Sequence, residues 1–202
     1  MGQYINIKPA SNLHHAIRIA EAIKRPLNSF VSINFSHTGC APEKVCKAFQ
    51  SLRVKFRKWI TRPPARQRTK AVPATFVWVI EHPPGKHVNC HWLIHVPSSR
   101  KTEFKQKITT WLSDFAGREI DADAINIKSA RTPRGAGKYM LKGMHPAAAA
   151  HYDIRHEPQG WIDGRRSGFT RNIGPKQKRR LRATGKYPPA RKYKKNMYAA
   201  TH

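Results

Sequence analysis

The amino-acid sequence predicts an α+β domain in which a central, mainly antiparallel sheet packs against helices, followed by a basic C-terminal tail. Residues 42–60 carry apolar side chains at steps of three and four, which places one apolar stripe along a helix. Residues 75–81 and 87–96 are rich in β-branched and aromatic residues, and the short linker HPPGK joins them. The two segments therefore predict a hairpin, and a hairpin makes the sheet at least partly antiparallel.

Local signals predict the elements of the N-terminal half. Residues 4–8 indicate a short strand, and Ser11 is a candidate N-cap for a helix that extends to Lys24. Residues 30–36 (FVSINFS) alternate in character and predict a strand. The helix over 42–60 has a basic face opposite its apolar stripe, and the stripe consists of Val45, Phe49, Leu52, Phe56 and Trp59.

The elements after the hairpin follow in the same way. Pro97 ends the second strand, and the next helix stops just before Gly117, a residue suited to the position beyond a helix end. Residues 124–129 (AINIKS) predict another strand, and a short helix over 134–143 carries Tyr139. The apolar stripe of the helix before Gly117 consists of Phe104, Ile108, Trp111, Leu112 and Phe115.

Charge gives the first indication of function. The chain has 39 Lys and Arg against 11 Asp and Glu, a formal net charge of +28. Such a surface repels itself, and nucleic acid is its usual partner because each neutralised phosphate releases counterions. The sequence has no apolar run of about 18 residues and no secretion signal, and its three cysteines cannot all pair within one chain. We therefore expect a cytoplasmic protein that does not contact membranes.

The acidic residues end at Asp163, and the chain beyond it is basic, punctuated by Gly and Pro and poor in aliphatic residues. This composition predicts a boundary between a folded domain over 1–163 and a flexible nucleic-acid-binding tail over 164–202. A solvated tail that only raises solubility is the alternative. Three tyrosines lie among the basic residues, where they are available to stack on bases: Tyr187, Tyr193 and Tyr198.

The second strand of the hairpin carries a row of polar side chains. Because side chains alternate between faces, His87, Asn89, His91 and His95 share one face. Glu81 ends the preceding strand and meets the same face across the hairpin. A carboxylate, an amide oxygen and imidazoles form a mostly hard ligand set, which suits Mg²⁺ or Mn²⁺. The alternatives are exposed polar residues on a half-buried strand and a solvated glutamate at a turn.

The segment GKYMLKG places Tyr139 and Lys142 three residues apart, on one face of the predicted helix. A tyrosine hydroxyl attacks phosphorus when its proton is removed and a cation stabilises the resulting charge, and Lys142 is placed to supply that cation. A helix tyrosine that belongs to the core is the alternative.

Taken in order, the blocks FVSINFS, VIEHPPGKHVNCHWLIHVP and GKYMLKG resemble the three motifs of HUH endonucleases. This family includes rolling-circle replication initiators of plasmids and phages, relaxases and transposases. The resemblance covers residues 30–143 and implies a metal-dependent nick in single-stranded DNA through a covalent 5′-phosphotyrosine. It assigns Tyr139 as the nucleophile and Lys142 as its companion. Because this helix has one tyrosine, the chain resembles the single-tyrosine branch of the family.

The same resemblance assigns the metal ligands. Glu81 stands at the family's carboxylate, and the segment from Asn89 to His91 stands at its His-hydrophobic-His pair. Asn89 therefore departs from the family pattern, since an amide oxygen binds a hard cation less strongly than imidazole does. His87 is the alternative ligand if the register differs by two residues. The cofactor implied is Mg²⁺ or Mn²⁺, without any small-molecule cofactor.

The partners that the resemblance implies are single-stranded DNA at an origin hairpin or nick site and a host helicase and polymerase, and the host that it implies is prokaryotic. The predicted nucleic-acid contacts are Lys58, Arg62, Arg131, Arg134, Lys138, Arg165, Arg166, Lys178, Arg179 and Arg180. A non-enzymatic nucleic-acid-binding protein is the main alternative, and it predicts that Tyr139 is buried far from His91. An HUH transposase or relaxase is another. A nucleotide-binding phosphate loop at PRGAGKY is excluded, because Thr132 and Tyr139 replace its required Gly and Ser/Thr.

Overall fold

The computed structural model describes residues 3–62 and 71–187; residues 1–2, 63–70 and 188–202, with Tyr193 and Tyr198, lie outside the described residues. Five strands form one sheet in this part of the chain: β1 Ser29–Asn34, β2 Phe76–Glu81, β3 Asn89–Ile94, β4 Ile125–Ser129 and β5 Ser167–Phe169. The α-helices of the same residues are α1 Ile7–Ala22, α2 Val45–Thr61, α3 Lys101–Ala116, α4 Pro133–Met140, α5 Pro146–His151 and α6 Pro175–Ala183. None of these helices is both long and apolar enough to cross a membrane.

The predicted hairpin forms the centre of the sheet. The strand order is β4-β1-β3-β2-β5, and every neighbouring pair is antiparallel. β2 and β3 pair in a register that sets Glu81 opposite Asn89 and Val79 opposite His91. The predicted α+β architecture, with a mainly antiparallel sheet and packed helices, is therefore confirmed.

One face of the sheet packs against α2 and α3 through aromatic side chains. Phe56, from the predicted stripe of α2, places its ring centroid 4.9 Å from Trp92, 5.6 Å from Phe104 and 6.0 Å from Phe76. All of these rings are buried, and truncating a buried ring of this kind typically costs about 3–5 kcal/mol. This face supplies the larger of two apolar clusters and holds the sheet against α2 and α3.

The opposite face packs against α1, α4, α5 and α6. Val77, Val79 and Leu93 belong to a second apolar cluster, which includes Leu13 and Ile17 of α1. Because side chains alternate along a strand, the residues of β2 and β3 that share this face include the predicted polar row. The second layer of helices therefore covers the face on which chemistry was predicted.

The prediction of a strand over residues 4–8 is wrong. Ile5 makes one isolated parallel bridge to Met144, and α1 begins at Ile7, before the predicted cap. Pro9 does not prevent this early start, because a proline in the first turn of a helix removes no intrahelical hydrogen bond.

The chain after Asp163 does not form the predicted extended arm up to Tyr187. β5 pairs with β2, and Ile173 and Leu181 are buried in the second apolar cluster. The basic average composition hid these few apolar residues, whose spacing lets a short strand and α6 pack against the domain. The folded part therefore extends from the predicted boundary at Asp163 to at least Tyr187.

Tyr187 packs against α1 instead of standing free to stack on bases. Its hydroxyl oxygen lies 2.5 Å from Nδ1 of His15. The guanidinium carbons of Arg18 and Arg182 lie 5.1 and 5.4 Å from its ring centroid. The ring thus fixes the end of α6 to α1.

Two truncations test this revised boundary. Removal of residues 165–202 deletes β5 and the buried Ile173 and Leu181, so the free energy of unfolding should fall by at least about 3 kcal/mol. Removal of residues 188–202 deletes none of these contacts and should leave the stability near that of the full chain. Urea unfolding monitored by tryptophan fluorescence compares the three proteins, and equal stability of both truncations would restore the boundary at Asp163.

Candidate active site

The hairpin register gathers the predicted polar residues on the face covered by α4. Glu81 lies at the end of β2 opposite Asn89, and His91 lies two residues further along β3 on the same face. Glu81 and His91 are both buried, while Asn89 is half-buried. A register shifted by one residue would turn these side chains to the aromatic face, so the pairing of β2 and β3 determines the site.

The Glu81 carboxylate is the most buried polar group of the site, with 2% of its surface exposed. Its Oε2 lies 3.2 Å from Nε2 of His91 and 3.4 Å from Nζ of Lys142. Its Oε1 has no hydrogen-bond partner within residues 3–62 and 71–187. A buried carboxylate requires compensating partners, so the free oxygen marks a position where a donor or a cation would be stabilised.

Tyr139 lies in the last turn of α4 beside His91 and Lys142, the two residues paired with this carboxylate. Its ring centroid lies 5.2 Å from that of His91 in an edge-on arrangement, and Nζ of Lys142 donates a hydrogen bond of 3.2 Å to the phenol oxygen. Tyr139 is 48% exposed, so it is not a core residue. The phenol is thus both accessible to a large substrate and in contact with an ammonium group.

Lys142 connects the phenol to two carboxylates. Its Nζ lies 3.4 Å from Oε2 of Glu157 as well as from Glu81, and 4.3 Å from the Tyr139 ring centroid. Burial lowers the pKa of Lys142, but Glu81, the Tyr139 hydroxyl and Glu157 together outweigh burial and raise that pKa above its ordinary value. The amine therefore keeps its proton, which suits it to stabilise a phenolate and not to act as a base.

His91 is held from both sides of its ring. Its Nδ1 lies 3.1 Å from the Ser32 hydroxyl oxygen, and its ring stacks on Phe30 at 5.4 Å between centroids. In this arrangement Nε2–H donates to Glu81 Oε2 at 3.2 Å, while Nδ1 accepts from the Ser32 hydroxyl. A bound cation would require the other tautomer, in which Nδ1–H donates to Ser32 and Nε2 is a metal ligand, and the Ser32 hydroxyl can serve either form.

The residues present fit a hard divalent cation through Glu81 and His91. Glu81 offers an unpartnered carboxylate oxygen, and His91 offers an oriented imidazole. Mg²⁺ commonly binds one or two protein carboxylates and takes its other ligands from water and substrate phosphate, so a short protein ligand set is sufficient. In the described part of the chain, no three His, Cys, Asp or Glu side chains cluster as a metal site.

The other predicted ligands differ in their position. Asn89 donates its side-chain amide to the backbone carbonyl of His87 at 2.9 Å and remains on the site face. His87 is exposed on the preceding loop, with its ring 6.4 Å from that of His37. His95 donates Nδ1–H to the Pro26 carbonyl at 2.8 Å. Asn89 is therefore the candidate third ligand, and His87 and His95 are engaged elsewhere.

Glu157, Ser32 and Phe30 were not predicted as site residues. Glu157 comes from the loop after α5, and its backbone N–H also donates to the Lys142 carbonyl at 3.0 Å. Nothing in the sequence near Glu157 links it to Lys142. Ser32 and Phe30 had a usable signal, because the alternation of β1 places both on one face, although only strand pairing reveals that this is the face of His91.

The predicted nucleic-acid contacts divide between the two faces of the sheet. Arg134 and Lys138 lie on α4 near Tyr139, where they form ion pairs with Glu21 and Asp153, respectively. The predicted contacts on α6 and in the segments before β5 and α4 are mostly exposed. The exposed residues are Arg131, Arg165, Arg179 and Arg180, and Lys178 of α6 is half-buried.

Three of the predicted contacts are not exposed on the face that carries the phenol. Lys58 and Arg62 are exposed, but they belong to the end of α2, in the layer on the opposite face of the sheet. Arg166 is buried and donates to the Gln159 carbonyl at 3.1 Å and to the Gly160 carbonyl, so its guanidinium holds the loop before β5. Lys58 and Arg62 are thus separated from Tyr139 by the sheet, and Arg166 has little exposed surface.

Comparison with known proteins adds no assignment to this geometry. No family model, curated protein or solved structure matches the chain. The site described above, from Glu81 and His91 to Tyr139 and Lys142, is therefore interpreted from its own chemistry.

Proposed function

We propose that this protein nicks and rejoins single-stranded DNA through a covalent 5′-phosphotyrosine at Tyr139, and so initiates rolling-circle replication of a plasmid or phage in a prokaryotic cytoplasm. The observation that carries the proposal is the convergence of one accessible phenol with Lys142, Glu81 and His91 from three separate segments. A transposase or relaxase uses the same chemistry and differs in its DNA target.

In the proposed reaction, the Tyr139 oxygen attacks the scissile phosphorus and forms a phosphotyrosine bond with the 5′ side of the nick. The bond from phosphorus to the 3′ oxygen breaks, and that oxygen takes a proton and leaves as a free 3′ hydroxyl. The phenolic proton passes to solvent, which reaches the half-exposed ring. Because the phosphodiester is exchanged for another phosphate ester, attack by a later hydroxyl reverses the step and rejoins DNA.

Lys142 has two functions in this scheme. Its ammonium stabilises the phenolate as the proton leaves, at the 3.2 Å contact with the phenol oxygen. It also balances the buried charge of Glu81. A Mg²⁺ or Mn²⁺ ion held by Glu81 and His91, with Asn89 as a third ligand, would supply polarisation of the scissile phosphate.

A non-enzymatic nucleic-acid-binding protein is the second candidate, and the net charge of +28 suits it equally. That candidate requires no accessible phenol beside a carboxylate and an imidazole. The 48% exposure of Tyr139 and its 5.2 Å ring separation from His91 therefore favour the nuclease.

The assigned nucleophile is tested by Tyr139→Phe. This change removes the attacking oxygen and keeps the ring, so covalent capture of single-stranded oligonucleotides in Mn²⁺ should be abolished while the dissociation constant changes little. Tyr152→Phe is the matched control, because Tyr152 lies on the same layer but outside the site, and it should keep full capture. Adduct bands on denaturing gels provide the measurement, and equal capture by the Tyr139 variant would reject the assignment.

The metal assignment is tested by His91→Ala and by Glu81→Gln. Each removes one ligand, so the Mn²⁺ concentration needed for half-maximal capture should rise by at least about tenfold. His95→Ala is the control, because His95 lies just beyond the other end of β3 and its imidazole is bonded to the Pro26 carbonyl. An unchanged Mn²⁺ requirement in both ligand variants, with native circular dichroism, would contradict the assigned metal site.

The electrostatic function of Lys142 is tested by Lys142→Met and Lys142→Arg. The first variant loses the cation beside the phenol, and its capture rate should fall on the order of 100-fold. The second keeps a cation and should retain more activity. Lys138→Met removes the same charge from the helix that carries Tyr139, and a loss equal to that of Lys142→Met would mean that only general charge matters.

A further inference from the structure

A cleft of about 440 Å³ opens beside the phenol, between α4 and the strands β1 and β4. Its volume falls within the range of roughly 300–1,000 Å³ that small-ligand sites occupy. Tyr139 and His91 form the end of the cleft that adjoins the candidate active site. The remaining lining includes Phe30, Ser32, Asn126 and Lys128.

Strand pairing gives this cleft a polar row that leads to the site. Ser32 of β1 lies opposite His91 on one side and opposite Asn126 of β4 on the other. Side chains directly opposite each other lie about 5 Å apart, so the row runs continuously from the sheet edge to the imidazole. In the adjacent row, Lys128 pairs with Phe30.

Asn126 and Lys128 present unused polar groups to the cleft. Both are exposed, and neither side chain has a hydrogen bond or ion pair with any described residue. By contrast, Arg134 of α4 and Lys142, which follows that helix, are each paired with a carboxylate. Lys128 is therefore an ammonium group available to an anion, and Asn126 offers a donor and an acceptor on one planar amide.

We propose that this cleft binds the nucleotide adjacent to the scissile phosphate of single-stranded DNA, with Lys128 on a backbone phosphate and Asn126 on the edge of the base. The inference rests on the proposed nuclease function and assigns the substrate contacts on one side of its phenol. The base enters beside Gly135 and Ala136 of α4. Because glycine has no side chain and alanine has only a methyl group, the α4 side of the cleft has room for it. The half-buried ring of Phe30 supplies an apolar floor.

The two assigned contacts have different consequences, because a phosphate contact gives affinity and a base contact gives selectivity. Loss of one phosphate contact lowers the salt dependence of binding, since about 0.7 counterion per contact is released from single strands. Loss of an amide contact to a base edge leaves the salt dependence unchanged and removes the preference at one position.

The phosphate contact is tested by Lys128→Ala in the full chain. Fluorescence anisotropy with a labelled single-stranded DNA oligonucleotide, in a chelator that prevents nicking, gives the slope of log Kd against log salt concentration. We expect the slope to decrease by about 0.7 in magnitude. Lys107→Ala removes an exposed lysine of α3 on the opposite face and should leave the slope unchanged. Equal slopes for the two variants would overturn the phosphate assignment.

The base contact is tested by selection from a randomised single-stranded DNA pool. The native chain should select one base at a position beside the nick by about tenfold, and Asn126→Ala should lose that preference at that position alone. Gln106→Ala, an exposed amide on α3, is the control and should keep it. A preference that survives in Asn126→Ala, or that is stronger for RNA than for DNA, would overturn the base assignment.

Covalent capture by the native chain separates this inference from the proposed function. Adduct formation together with unchanged binding by both cleft variants would overturn the cleft assignment and leave the nuclease standing. Absence of any adduct, with the expected loss of slope in Lys128→Ala, would overturn the nuclease and support the cleft as a nucleic-acid site.

Discussion

The buried carboxylate of Glu81 is the constraint on which the candidate site depends. A carboxylate with 2% exposure is costly unless positive or donor groups surround it. His91 and Lys142 meet that requirement at 3.2 and 3.4 Å, and they come from different elements. Because Lys142 is drawn to the carboxylate, its ammonium also contacts the phenol of Tyr139. One buried charge thus positions the ammonium group that contacts the phenol.

The two faces of the sheet divide structure from chemistry. The aromatic face of the sheet packs against α2 and α3, where Phe56 contacts Trp92, Phe76 and Phe104. The other face packs smaller residues such as Val79 and Leu93 against α1 and the helices that follow β4, and this face also carries the polar row and the cleft. Strand alternation makes the division strict, since each polar residue of β3 is flanked by apolar residues that point the other way.

The sequence predicted those parts of the fold that depend on local periodicity. The stripe of α2 and the hairpin were predictable because spacing alone specifies a helix face and a strand face. The folding of the chain beyond Asp163 was not predictable, because Ile173 and Leu181, two apolar residues in a basic segment, become a signal only when the sheet edge and α1 are present to pack against them. The start of α1 was missed because a proline near a helix start resembles a boundary.

For the candidate site, single residues carried more signal in the sequence than their neighbours did. Glu81, His91, Tyr139 and Lys142 lie together, and each has a residue type and a position within an element that chemistry can interpret. His87 lies outside this group, because it belongs to the loop before β3 and its side chain does not follow the alternation of that strand. A residue that joins the site from a distant loop has no local sequence pattern that predicts it, and Glu157, which pairs with Lys142, is the example.

The charge of the chain and the position of the phenol are connected through the layer of α1, α4 and α6. Burial, followed by the effect of Lys178, lowers the pKa of His15 to about 4, so this imidazole is neutral at pH 7 and the positive charge around it comes from Lys and Arg. Like charges held together on one surface oppose folding, and a polyanion bound there offsets the repulsion. Because α4 also carries Tyr139, a phosphate backbone that binds to these helices, as proposed, would lie on the same face as the phenol. The cations of α2, on the other face, would then act only through long-range attraction, which salt screens within about 10 Å. Under the proposed function, the cations of the layer that holds Tyr139, and not the total charge, would therefore bring a phosphate to the phenol.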